Sequence, residues 1–109
     1  MGVRSNKDIP SHYKSPNLEA VLIEQILQTC ISQASLSELR YFIQEIRPSL
    51  SIYQLRKYLF YLIEYYLITY HGQNQVFVLT GIGLDLLYII KKEKKTSKKN
   101  IKDVIITLE

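Results

Sequence analysis

The chain has 109 residues, of which 47 % are hydrophobic and 22 % charged: enough for one domain with its own core, too short for two, and too apolar for a disordered segment. A single cysteine, Cys30, excludes an intrachain disulfide framework and a cysteine-based zinc site. The formal net charge of +4 belongs to the ends: Lys91, Lys92, Lys94, Lys95, Lys98, Lys99 and Lys102 supply seven of the 14 basic residues within twelve positions, whereas residues 17–90 hold four basic against six acidic side chains, a balance of −2.

The opening "MGVRSNKD" has no apolar signal core, and Asn6 stands where a myristoylation pattern needs Ser or Thr. Residues 1–16 are polar, carry Pro10 and Pro16 and show no periodicity, so they read as a flexible arm. Ser15-Pro16 predicts a helix start with proline at the first helical position. From there to about Ser32, Leu22, Ile23, Ile26, Leu27 and Cys30 recur at helical spacing.

Ser35-Leu36-Ser37-Glu38 is a capping box, which opens a second helix with Leu39, Phe42, Ile43 and Ile46 expected inward. Pro48 ends it at Arg47, because helical geometry is disfavoured before proline. Ser51-Ile52-Tyr53-Gln54 is a second box, opening a third helix after a turn of about four residues, the spacing of a helix-turn-helix. On that helix Leu55, Leu59, Leu62 and Tyr66 form the predicted core stripe, flanked by Ile52, Tyr58 and Ile63. Tyr53, Lys57, Tyr61 and Glu64 point the other way, with Arg56, Phe60 and Gln54 at the edges. The run Tyr58–Tyr70 is rich in apolar residues but contains Glu64, and no stretch is long enough for a membrane span.

Leu67–Tyr70 and Gln75–Leu79 are β-rich runs on either side of "HGQN", which predicts a hairpin. Thr80 caps a last helix from Gly81 to Lys94, whose apolar residues cover nearly the whole circumference. Such a helix must be covered on more than one side, which implies a partner helix. "TSKKN" breaks the pattern, and "IKDVIITLE" is read as a terminal strand in preference to a short helix. The predicted fold class is therefore mainly α with a small β-hairpin.

"VFVLTGIG" also suggests a nucleotide-binding glycine turn. That fingerprint needs a third glycine where Leu86 stands, and a βαβ unit for which there is no room. No Walker lysine, paired-histidine helix or elbow serine is present. His12 and His71 read as solvated, and Glu64 and Asp85 as single carboxylates. An enzyme is not expected, nor a cofactor or metal; the expected location is cytoplasmic.

The order helix, helix, helix, hairpin, helix, with "SIYQLRKYLFYLIEYYLI" and "VFVLTGIGLDLL", resembles the winged-helix family, most closely the small archaeal and bacterial regulators. The likeness spans roughly residues 18–92. It rests on Gln54, Leu55, Arg56, Lys57, Tyr58 and Leu59, then Leu67-Ile68, then Leu79-Thr80 with Gly83 and Leu87. It implies a winged helix-turn-helix with a three-helix core, a two-stranded wing and a C-terminal helix over 17–95, followed by a basic tail over 96–109.

The implied function is double-stranded DNA binding by a transcriptional regulator. Residues 51–66 would be the recognition helix and 70–76 the wing. Gln54 would read adenine, Arg56 or Lys57 guanine or phosphate, and Tyr53 and Tyr61 phosphate or thymine methyls. Ser51 would hold a phosphate at the helix start, with His71, Gln73, Asn74 and Gln75 along the backbone or minor groove. A homodimer would form through helices 17–33 and 81–94. Two departures from the family stand out: Tyr66 occupies the position where it usually has a left-handed glycine cap, and the core carries a balance of −2. The second, with the aromatic outer face of the third helix, points to the alternative of a winged-helix module that binds protein and not DNA.

Overall fold

A computed structural model describes residues 17–96 and 105–107. Their order is β1 (Asn17–Glu19), α1 (Ala20–Cys30), α2 (Leu36–Ile46), α3 (Ile52–Glu64), β2 (Ile68–His71), β3 (Val76–Leu79), α4 (Gly81–Thr96) and β4 (Ile105–Thr107). The fold is mainly helical, with two small antiparallel strand pairs. The arm predicted for residues 1–16 lies outside the described residues.

The first helix begins later than Ser15-Pro16 implied. Asn17–Glu19 is instead a strand, pairing antiparallel with β4 through Leu18 and Ile106. Leu18 is buried and Ile106 packs on the core, so this pairing ties the two ends of the described chain to the same body. Burial of Leu18 competes with helical propensity here and prevails.

α1 is the central element. Leu22, Ile23, Ile26, Leu27 and Cys30 are wholly buried, and α1 packs against α2, α4, β1 and β3. Among residues 20–30 only Gln28 is exposed. Within residues 17–33, the stretch expected to meet a second copy, most apolar residues are thus used inside one subunit; Val21 is half-buried and Ile31 is 48 % exposed.

Both capping boxes form. Ser35 Oγ accepts from the Glu38 N–H and Glu38 Oε1 from the Ser35 N–H, at 3.2 and 2.9 Å. α2 ends at Ile46, and the Arg47 N–H donates to the Ile43 carbonyl before Pro48 breaks the helix. Leu39 and Ile43 are buried, but Phe42 is exposed and stacks edge-on against Tyr41. Phe42 lies at the margin of the α2 stripe and is left partly uncovered there.

α3 buries Leu55, Leu59 and Leu62 as predicted, with Ile52, Tyr58 and Ile63 half-buried. Tyr66 does not extend the stripe. It follows the helix with φ 62° and is 71 % exposed. The Tyr66 N–H donates to the Ile63 carbonyl and the Leu67 N–H to the Leu62 carbonyl, both at 2.9 Å, which is a Schellman end built on a left-handed tyrosine. Leu67, released in the opposite sense, enters the core.

β2 and β3 form the hairpin in the register Ile68↔Leu79, Thr69↔Val78, Tyr70↔Phe77 and His71↔Val76. Its tip is Gly72–Gln75, one residue later than "HGQN", and Gln75 takes the left-handed conformation with φ 56°. Ala34, in the α1–α2 connection, adds a single bridge to Phe77 through two hydrogen bonds of 3.0 and 2.7 Å.

Thr80 joins the hairpin to α4. Its hydroxyl accepts from the Gly83 N–H at 2.9 Å and lies 2.6 Å from the Tyr66 carbonyl oxygen and 3.0 Å from that of Leu67, donating to them. α4 packs against α1 and buries Leu87 and Ile90, while Gly83 is buried against Leu67 and Leu79. Further along, Lys91 and Lys94 reach Glu24 on α1 at 3.5 and 3.1 Å. No helix among the described residues is long and apolar enough to cross a membrane.

Candidate nucleic-acid interface

The outward face of α3 begins at its cap. Ser51 Oγ accepts from the Gln54 N–H at 3.0 Å, and Gln54 Oε1 accepts from the Ser51 N–H at 2.9 Å. The amide oxygen of Gln54 is thus engaged, whereas adenine reading needs both the amide oxygen and nitrogen. Only Gln54 Nε2 is left to donate unless the box opens. The Ser51 hydroxyl keeps its proton for donation, and the first-turn N–H groups of Ile52 and Tyr53 have no acceptor within the helix.

One turn on, Tyr53 is 67 % exposed and Lys57 Nζ sits 5.5 Å from its ring centroid. Residues i and i+4 are neighbours on a helix surface, and the ring's negative face attracts the ammonium. Arg56 is exposed beside them. Tyr61, expected on this same free face, is half-buried and packs on the core, its ring edge-on to Phe60. It is a wall of the face more than a contact on it. Glu64, at the far end, is exposed and places a carboxylate there.

On the hairpin, His71, Gln73, Asn74 and Gln75 are all exposed. His71 Nε2 lies 3.2 Å from Thr69 Oγ1. α3 and the hairpin meet across an open groove of about 560 Å³. Its floor is Leu59, Ile63 and Phe77, and its edges carry Arg56 and Phe60 from α3 and Tyr70 and Gln75 from the hairpin. The groove brings Arg56 and Gln75, two sequence-predicted residues, to one surface. It also enrols Phe60 from α3, together with Ser35 and Ser37 from the start of α2, which sequence reading missed. The period of α3 places Phe60 at the edge of the outward face. Nothing local in the sequence marks Ser35 and Ser37 beyond their cap.

Behind this face Tyr58 faces inward, its hydroxyl accepting the Glu19 N–H at 3.1 Å while the Glu19 carboxylate pairs with the Arg47 guanidinium. Burial pushes the Tyr58 phenol above its usual pKa, and the Glu19 charge adds to that against the Glu19 N–H and Arg47. The cluster joins the start of α1, the end of α2 and the middle of α3, and so fixes how α3 presents its free side.

Comparison with family models, curated proteins and solved structures returns no match to this chain.

Proposed function

We propose that this chain is a winged-helix DNA-binding protein, a transcriptional regulator that works as a homodimer, with α3 as recognition helix and the β2–β3 hairpin as wing. The observation that carries the reading is a shared surface: Arg56, exposed beside Tyr53 and Lys57 on a doubly capped helix, lines one groove with Tyr70 and Gln75 of the hairpin. The major groove of B-DNA is about 12 Å wide and admits one helix. Lys57 and Arg56 would supply phosphate or guanine contacts, and the Ser51 hydroxyl with the first-turn N–H groups a further phosphate contact. Gln54 contributes through its Nε2 donor alone while its box is closed. Gln73 and Asn74 on the wing position the backbone more than they attract it, because they are neutral. The lysine-rich end of α4 and the residues after it add salt-sensitive affinity.

A titration of the full chain with labelled random duplex DNA at two salt concentrations tests this. Micromolar binding at about 50 mM salt that weakens steeply as salt rises is the expected result. No binding at low salt would refute it. A second reading, a winged-helix module that binds a protein, is favoured by one observation: Phe60 is 58 % exposed at the edge of an apolar groove, on a body with a balance of −2. Aromatic side chains are enriched in protein interfaces and charge is depleted there. A chain that ignores DNA in that titration belongs to the second reading.

A further inference from the structure

The groove between α3, the hairpin and the start of α2 joins an apolar floor to a single charge. Leu59, Ile63 and Phe77 form the floor, and the exposed rings of Phe60 and Tyr70 stand at its rims. The aromatic walls are already packed: the Tyr70 ring lies 4.8 Å from that of Phe77, and the Phe60 ring 5.6 Å from that of Tyr61. The volume, about 560 Å³, falls in the range of about 300–1,000 Å³ that small-molecule sites occupy, and such sites are mostly apolar with a few polar groups that fix orientation. Arg56 is the one charged side chain in the lining, and among the described residues no carboxylate pairs with it. The remaining polar side chains of the lining are neutral hydroxyls and one amide.

We infer that this groove binds a small amphipathic organic anion, its aromatic or branched apolar body on the floor and its single acidic group against Arg56. Charge and surface select the occupant together. A guanidinium holds a carboxylate or sulfonate through paired, charge-assisted N–H bonds. A cation meets only Arg56 here and is repelled, and a neutral apolar molecule leaves the guanidinium without a counter-charge.

Larger occupants fit less well. Duplex DNA offers phosphates and base edges, which do not cover an apolar floor. An extended peptide binds by adding a strand to an open sheet edge. Beside the floor that edge is closed, because the Phe77 carbonyl and N–H are both taken by Ala34, at 3.0 and 2.7 Å. Arg56 also belongs to the surface proposed to meet DNA, so an anion seated here competes with phosphate for it. That consequence rests on the DNA reading; the binding itself does not.

The test uses the full chain without DNA, so its failure is separate from failure in the DNA titration. The probe is anilinonaphthalenesulfonate, an aromatic anion, set against phenylnaphthylamine, its neutral counterpart. By fluorescence the wild type should bind the anion saturably, one to one, and the neutral compound severalfold more weakly. Arg56→Gln should weaken the anion about tenfold, since a hydrogen bond to a charged group is lost, and leave the neutral compound unchanged. Phe60→Ala should weaken both. Both side chains are exposed, so far-UV circular dichroism should not change. In amide NMR spectra the anion should shift Ser37, Phe60 and Gln75, and not Leu84, Tyr88 and Ile89 on the exposed apolar side of α4. No saturable binding, equal binding of the anion by Arg56→Gln, or shifts confined to α4 would each overturn the inference.

Discussion

Gly83 lies against the backbone of Leu67: a Cβ at position 83 would overlap the Leu67 carbonyl oxygen and come within 2.6 Å of Leu79 Cδ1. The first turn of α4 therefore crosses the exit of α3 at a distance only glycine allows. The same Leu67 carbonyl accepts the Thr80 N–H at 3.1 Å, and the Thr80 hydroxyl caps Gly83. "Leu-Thr-x-x-Gly" is thus one device, in which threonine ties the hairpin to the helix start and glycine lets the two segments touch. Gly83→Ala should destabilise the fold by about 2 kcal/mol, because relieving the overlap means moving backbone, and the roughly 1 kcal/mol gain in helix propensity does not offset it. Urea denaturation checks this; an unchanged midpoint would mean the crossing has room to spare.

Tyr66 makes the opposite prediction. It is the left-handed residue of the α3 end, a conformation that costs an ordinary side chain roughly 1–2 kcal/mol and glycine little. Its ring is mostly exposed, so little packing is lost on removal. Tyr66→Gly should raise stability by about 1 kcal/mol, read as a higher thermal midpoint, with both Schellman hydrogen bonds retained. A lower midpoint would show that the ring contributes more than the backbone strain removes.

The parts of the fold that were legible are those whose cause is local. Ser35/Glu38 and Ser51/Gln54 are three residues apart, so the boxes could be read directly and both helix starts fall where they indicated. The inward stripe of α3 followed from period alone as far as Leu62; Tyr66 escaped it because the helix stops at Glu64. The parts that were not legible depend on distant partners. Leu18 becomes a strand residue because Ile106 lies beside it, and Ala34 joins the hairpin because Phe77 does. α1 looked like an element with surface to spare because its coverings, α2, α4, β1 and β3, are scattered along the chain. At the candidate site, exposure of Tyr53, Arg56 and Lys57 was readable from the wheel, but the engagement of the Gln54 oxygen and the half-burial of Tyr61 were not.

Cys30 gives a pH-dependent prediction. Burial pushes its thiol from 9.0 up to about 12. Unfolding returns it to the ordinary value, so between these two pH values the unfolded chain ionises the thiol and the folded chain does not. A raised folded pKa means that the contribution to stability is complete below pH 9.0 and is lost as pH rises towards about 12. Cys30→Ala should be less stable than wild type at neutral pH through the cavity it leaves, and that gap should narrow above pH 9.0. At neutral pH the native thiol should resist a water-soluble disulfide reagent and react fully once urea unfolds the chain. Fast labelling of the native protein would show that Cys30 is reached without unfolding.

Gln54→Glu separates stability from DNA binding at one position. Glutamate completes the same box, since its carboxylate accepts the Ser51 N–H as the amide oxygen does. It also places negative charge in the first turn of α3, where the helix dipole favours it by roughly 0.3–1 kcal/mol. Thermal stability should therefore hold or rise slightly, whereas Gln54→Ala, which opens the box, should cost about 1 kcal/mol. Binding moves the other way. If the start of α3 meets phosphate, the new carboxylate repels it and removes the Nε2 donor, so affinity for random duplex DNA at about 50 mM salt should fall severalfold. Lys57→Glu should lower it further, because it reverses a charge on the same face. A Gln54→Glu chain of wild-type stability that binds duplex as the wild type does would place the DNA away from this turn and remove α3 as the reading helix.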